Sequence, residues 1–217
     1  MRGLLREPPL VFRYPAATLC DYMANIDHKP SKYMLNLLHV LPAFADEEKG
    51  VVNTIVEIIA GSINKYEVIT ESGQLKLDRV GYSSMAHPYT YGAIPQTWDL
   101  DGDPLDIFIP NVTETLVPGS LVEARIIGAM KFIDDGEVDD KIIAVLNDDK
   151  RVEHIKSVDD LGEYFKKETK YFWENYKALK KPGTGQVNEF LGAKEAIEIV
   201  RESMERYQKD YAPKFEE

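Results

Sequence analysis

Four aspartates fall within eight residues in the stretch Trp98-Asp99-Leu100-Asp101-Gly102-Asp103-Pro104-Leu105-Asp106, and the apolar run Ile107-Phe108-Ile109 follows at once. The Asp-Gly-Asp-Pro segment reads as a turn and the apolar run as a buried strand. The carboxylates therefore crowd the mouth of a strand. Like charges at that spacing repel, and some must stay protonated unless a cation joins them. Hard oxygen ligands of this kind suit magnesium or calcium. A calcium-binding EF-hand loop fails on inspection: Pro104 stands where glycine is required at its sixth position, and Pro110 where a bidentate acid is required at its twelfth. On these residues alone, an acidic, solvated turn without a ligand stays open.

The chain of 217 residues is long enough for one substantial domain or for a domain with an extension. Residues 1–50 read as an N-terminal extension, loose apart from one short helix, and 51–217 as the principal domain. The net charge of −11, from 26 basic and 37 acidic residues, argues against a nucleic-acid partner or an anionic membrane surface. It leaves room for a small anionic substrate, because a metal and a few local Lys or Arg reverse the field within one cleft. The single cysteine, Cys20, allows no internal disulfide and fits a reducing, cytoplasmic compartment. No apolar run approaches the roughly 18 residues of a membrane span. The start of the chain carries Arg2, Arg6, Glu7 and Arg13 and lacks the apolar core of a signal peptide. An organelle transit peptide, or a natural start at Met23, stands as an alternative.

Along the chain, Tyr33, Met34, Leu37, Leu38 and Leu41 have helical spacing, ended by Pro42. Val51 to Ile59 reads as a strand. It carries Glu57, either a solvent-facing residue of an edge strand or a carboxylate on a cavity wall. Asn64 to Ile69 alternates so that Lys65 and Glu67 share a face. Ser72-Gly73 then turns the chain into a returning strand ending in Asp78-Arg79. Gly81 to Tyr91 reads as an irregular loop. Leu121 to Phe132 and Ile142 to Leu146 read as strands joined by a second acid cluster, Asp134, Asp135, Glu137, Asp139 and Asp140, with a turn at Gly136. A helix is expected from Ser157, with Leu161, Phe165, Phe172, Tyr176 and Leu179 on its stripe and a stop at Pro182-Gly183. A second follows with Ala193, Ile197, Val200, Met204 and Tyr207. Many short strands followed by helices point to an α+β, mainly β architecture: a small closed or partly closed barrel with helices against it. Taken singly, Lys65, Arg79 and Lys177 read by default as surface charge and Tyr176 as a core residue. The four histidines are too dispersed to propose a zinc site.

The segments Val56-Glu57-Ile58, Lys65-Tyr66-Glu67, Asp78-Arg79, Tyr91-Gly92, Asp101-Gly102-Asp103-Pro104-Leu105-Asp106, Asp134 through Lys141 and Tyr176-Lys177 occur in an order that resembles the magnesium-dependent inorganic pyrophosphatases of the single-domain barrel type. The resemblance covers roughly Val51 to Phe190. It implies an OB-like, five-stranded closed barrel with flanking helices. It also implies hydrolysis of inorganic pyrophosphate with several Mg2+ ions per site and a homo-oligomer, hexamer or dimer. By the same resemblance, Asp101, Asp106, Asp134 and Asp139 are metal ligands and Asp103 is the general base. Lys65, Arg79, Tyr91, Lys141, Tyr176 and Lys177 bind the phosphate groups, while Glu57 and Glu67 line the cavity. The chain departs from the common pattern at His87, where many members carry tyrosine, and at Ile59, where many bacterial members carry proline. The Glu57–Lys65 segment is also one residue shorter than in some relatives. The competing readings are a hydrolase of another phosphoanhydride, such as a nucleotide, and an inactive barrel serving as a metal-binding or assembly module.

Overall fold

The computed structural model describes residues 36–212. Cys20, the alternative start at Met23, and Tyr33 and Met34 of the expected first helix lie outside those residues. Of that helix the described part is one turn, α1 (Leu37–Val40), with the Asn36 side chain accepting from the Leu38 N–H.

Among the described residues ten strands follow one another as β1 (Phe44–Asp46), β2 (Val51–Ile58), β3 (Asn64–Val68), β4 (Leu75–Val80), β5 (Thr90–Ala93), β6 (Asp106–Ile109), β7 (Leu121–Asp134), β8 (Glu137–Val138), β9 (Lys141–Leu146) and β10 (Gly185–Gly192). Five of them close a ring. β2 pairs with β5, β5 with β6, β6 with β9, β9 with β7, and β7 returns to β2. All these pairings are antiparallel except β6–β9, which is parallel. The length of β7 makes closure feasible: its first residues pair with β2, its middle with β9 and its last with β10. β3 and β4 form a separate hairpin.

The ring is buried on both faces, and successive residues of one strand enter different cores. Phe108 joins Ile143, Val145, Phe132 and Trp173 in one cluster. Its neighbours Ile107 and Ile109 join Ile142, Ala144 and Ala129 in the other. This is why β6 and β9 are continuous apolar runs rather than alternating ones. Helix α2 (Glu163–Asn175) covers the first cluster with Phe165, Phe172 and Trp173. Helix α3 (Ala193–Arg206) covers the second with Ala196 and Val200, and a π-helical turn, Tyr207–Tyr211, continues it.

Several elements differ from the sequence expectation. The helix expected from Ser157 begins as a 3-10 turn, Val158–Leu161, and is broken at Gly162 (φ +85°) before α2 starts. It stops at Asn175, so Leu179 leaves the stripe and is 77% exposed. β5 lies at the end of the stretch read as an irregular loop, its four residues too short and mixed to show period two. β10 was masked by the Gly183–Gly185 stop signal and by its polar composition. It adds to β7 beside the ring, where only Val187 is fully buried.

Closure brings β2 and β5 very close at Gly92, where a Cβ would lie 2.1 Å from the Ile55 carbonyl oxygen. That oxygen belongs to the backbone of the ring and has no rotamer through which to move away. Gly92→Ala is therefore expected to destabilise the protein by about 1–3 kcal/mol, the usual cost of overpacking. Chemical denaturation would show it as a lower midpoint at unchanged slope.

Candidate active site

The site is built where strand ends meet. Asp106 opens β6 and Lys141 opens β9, and the parallel register places them side by side. The Lys141 ammonium donates to Asp106 Oδ2 at 2.6 Å, to Asp139 Oδ1 at 2.7 Å and to the Tyr91 hydroxyl at 3.0 Å. It also lies 4.7 Å over the Trp173 ring. Tyr91, on β5, donates in turn to Asp106 Oδ2. Lys141 is buried, and burial works against its charge, but Asp106 and Asp139 outweigh that and raise its pKa. Burial followed by Asp106 holds the Tyr91 phenol well above its ordinary value.

The turn before β6 is held by its own backbone. Gly102 takes φ +91°, the Asp99 N–H donates to the Asp103 carbonyl at 2.7 Å, and the Asp103 N–H to Asp101 Oδ1 at 3.2 Å. Glycine is the residue that accepts such a φ without steric cost. Burial, then the neighbouring Asp139 and Asp106 charges, push the Asp101 carboxyl up to about 7. Asp103 is raised by burial and by Asp106, and Asp139 by burial against the opposing pull of Lys141.

The second acid cluster arrives from the β7–β8 turn, where Asp135 and Gly136 both take positive φ. Asp134 Oδ2 accepts from the Tyr176 hydroxyl at 3.1 Å and from Lys177 Nζ, while Asp134 Oδ1 is buried without a partner. Tyr176 and Lys177 sit just past the end of α2. The hairpin supplies Lys65 and Glu67, which pair with each other. It is tied to the ring by Glu57, whose Oε1 accepts from the Val68 N–H at 2.7 Å. Glu57 is a buried wall residue rather than a solvent-facing one, and burial with the Asp106 charge pushes it up to about 8.

One cavity of about 390 Å3 gathers Glu57, Lys65, Glu67, Tyr91, Asp101, Asp103, Asp106, Asp134, Asp139, Lys141, Tyr176 and Lys177. Arg79 is the exception among the expected residues. It stands opposite Lys65 in register, and its guanidinium bonds Asp78 at 2.5 Å rather than lining the cavity. Its charge nonetheless reaches His87. Trp173, Glu137 and Lys76 line the cavity without having been expected. Trp173 had a legible signal, since it lies one helical turn before Tyr176 on the same face. Asp99, the first aspartate of the run, is buried but does not line the cavity.

The family model for inorganic pyrophosphatase matches residues 54–208. The chain belongs to the inorganic pyrophosphatase family. It is 44% identical over 166 residues to an inorganic pyrophosphatase of Neisseria meningitidis, covering 76% of this chain and 93% of that protein. It is 39% identical over 203 residues to a soluble inorganic pyrophosphatase of rice, Oryza sativa, covering 93% and 92%. Among solved structures, an inorganic pyrophosphatase from Neisseria gonorrhoeae superposes with a TM-score of 0.76 at 40% identity, over 80% of this chain and 99% of that one. One from Thermus thermophilus gives 0.74 at 39%, with the same coverage. The ring of five strands with two covering helices is thus the pyrophosphatase architecture.

Pyrophosphatases of this family are metal-dependent. Among the described residues, no three His, Cys, Asp or Glu side chains close into a metal-ligating cluster. The Lys141 ammonium lies between Asp106 and Asp139. The donor set nevertheless fits a hard divalent cation. The donors are carboxylates, Asp101 is raised by burial and then by the Asp139 and Asp106 charges that a cation would offset, and Asp134 Oδ1 is an orphaned buried acceptor. Among the described residues no helix is long and apolar enough to cross a membrane.

His87 is buried against the rings of Phe172, Tyr91 and Trp173, with centroids 5.1, 5.9 and 6.2 Å away. Burial, then the Lys65, Lys141 and Arg79 charges, lower its pKa from 6.5 to about 4. The unfolded chain therefore binds the proton more readily, and the His87 contribution to stability, present above pH 6.5, is lost as pH falls through 4. The loss amounts to about 3 kcal/mol. His87→Phe keeps the ring contacts and removes the titration. Denaturation free energies measured in chelator between pH 7 and 4 should fall less steeply for the variant than for the parent chain.

Proposed function

We propose that this chain hydrolyses inorganic pyrophosphate to two orthophosphates with magnesium, by in-line attack of water and without a covalent enzyme intermediate. The observation that carries the reading is the convergence of carboxylates and ammonium groups from separate strand ends on one cavity, within a chain of the pyrophosphatase family. Asp101, Asp106, Asp134 and Asp139 would hold the metal. Bound magnesium supplies charge neutralisation at the phosphoryl oxygens and makes a coordinated water more acidic.

The remaining steps belong to the chain. Asp103 takes the proton of the attacking water, and its raised pKa brings it nearer the working pH, where a general base is most effective. Lys65, Lys141 and Lys177 compensate the charge of the two phosphate groups, with Arg79 acting from the hairpin. Phosphoryl transfer needs little else than such positioning and charge stabilisation. Tyr91 and Tyr176 donate hydroxyl hydrogens without adding charge, and burial keeps both protonated. Glu57, whose carboxyl burial pushes up to about 8, and Glu67 shape the wall. Lys141, Lys65 and Lys177 each pair with a cavity carboxylate in this structure. The resemblance and the family further support domain boundaries at 51–217, a homo-oligomer of two or six copies and a cytoplasmic protein.

Phosphate release should be fast from pyrophosphate, absent without magnesium, and slow from ATP in the same buffer. Equal turnover of ATP would move the reading to a general phosphoanhydride hydrolase. Asp103→Asn should lower the rate at saturating magnesium by about 100-fold or more. The same variant should keep the rise in melting temperature that magnesium gives the parent protein, a rise corresponding to about 2.7 kcal/mol when the metal stands at a hundred times its Kd. Retained activity would remove Asp103 from the base role.

A further inference from the structure

Asp99 is the one aspartate of the run that the reaction leaves unused. Its carboxylate turns away from the cavity to the end of α3, where Arg206 Nη2 donates to Oδ1 at 3.1 Å. The same guanidinium reaches two further acceptors: Nε donates to the Trp98 carbonyl at 2.8 Å and Nη2 to Ser203 Oγ at 2.7 Å. The Trp98 N–H donates to the Ser203 carbonyl at 2.9 Å, and the Trp98 ring stacks on Tyr211 with centroids 4.3 Å apart. From the other side, the Gln96 N–H donates to the Leu38 carbonyl at 2.8 Å. The root of the acidic turn is thereby gripped between α1 and α3.

Asp99 also connects that grip to the turn itself. Its N–H bonds the Asp103 carbonyl at 2.7 Å, and its carbonyl accepts from the Gly102 N–H at 3.3 Å. The residue whose carboxylate is held by Arg206 thus closes, through its backbone, the turn that presents Asp101 and Asp103. Asp99 is 5% exposed, and its second oxygen is buried with no partner. Arg206 is therefore the cation that holds this carboxylate out of the cavity. A guanidinium suits the task because its fixed fork serves several acceptors at once, whereas an ammonium is a single point charge.

We propose that Arg206 and Asp99 form a clamp through which the C-terminal helix sets the register of the Asp101–Asp103 turn, and with it the affinity for the divalent cation. Both are positioning residues that act through the turn. The inference rests on the metal-dependent reading of the site given above.

The test is calorimetric titration of magnesium, without substrate, into the parent protein and into Arg206→Met, Arg206→Lys and the double variant Asp99→Asn/Arg206→Met, each first checked for folding by its melting curve. Arg206→Met should weaken magnesium binding about tenfold or more, the usual effect of removing a group that orients metal ligands. Arg206→Lys, which keeps the charge and loses the fork, should weaken it less and serves if the Met variant does not fold. The double variant Asp99→Asn/Arg206→Met should bind magnesium no more weakly than Arg206→Met, because it leaves no orphaned carboxylate beside the turn. At saturating magnesium the KM for pyrophosphate should stay near the parent value. A purely structural pair would lower the melting temperature and leave the magnesium affinity within about twofold of the parent, which is small against the expected effect and overturns the clamp. If the parent protein itself binds no magnesium, the metal reading of the site fails and the clamp falls with it.

Discussion

Lys141 places a positive charge at the point where β5, β6 and β9 meet, with 1% of its side chain exposed. A buried ammonium is costly unless its charge and all its hydrogens find partners. Here Asp106, Asp139 and the Tyr91 hydroxyl take the three hydrogens, and aromatic faces surround the rest. Removing one partner of such a group leaves an uncompensated charge, at a cost of about 3–5 kcal/mol. The first residues of two parallel strands and the middle of a third are therefore bound to one another by the same group that faces the cavity. Fold and site share their central interaction.

That arrangement needs the closed ring. A parallel β6–β9 pair puts Asp106 and Lys141 at the same end, the β2–β5 pairing sets Glu57 and the hairpin beside Tyr91, and the return of β7 to β2 closes the ring. The two cores then have separate tasks. One carries α2 and sets Trp173, Tyr176 and Lys177 against the second acid cluster. The other carries α3 and, through Arg206, reaches the root of the first. Helix α2 thus ends at the cavity, beside the second acidic turn, whereas α3 ends behind the first.

The division of labour among the aspartates follows from burial and partners rather than from residue type. Asp101, Asp103 and Asp106 face the cavity, while Asp99 is neutralised by a guanidinium behind the turn. Asp140 behaves likewise in the second cluster, buried and paired with Lys131 while Asp139 faces the site. In each cluster a carboxylate next to the site is tied to a cation outside it, which limits the repulsion among those that remain.

The sequence by itself determined most of the charged residues that line the cavity, the strand character of β2, β3, β4, β6, β7 and β9, and the hydrophobic stripes of α2 and α3. Each of these is written in short-range patterns: acid-rich turns, apolar runs and helical spacing. Motif order was enough to propose the family before any geometry. Which strands pair to close the expected ring was decided only by tertiary structure, because pairing depends on contacts between distant segments such as Val51 and Arg125. So were the buried state of Glu57, the exclusion of Arg79 and Leu179, and the short polar strands β5 and β10. A residue's side of a cavity wall follows from what packs behind it, as Asp99 shows: its neighbours in sequence are acids of the site, but its partner is Arg206, 107 positions away.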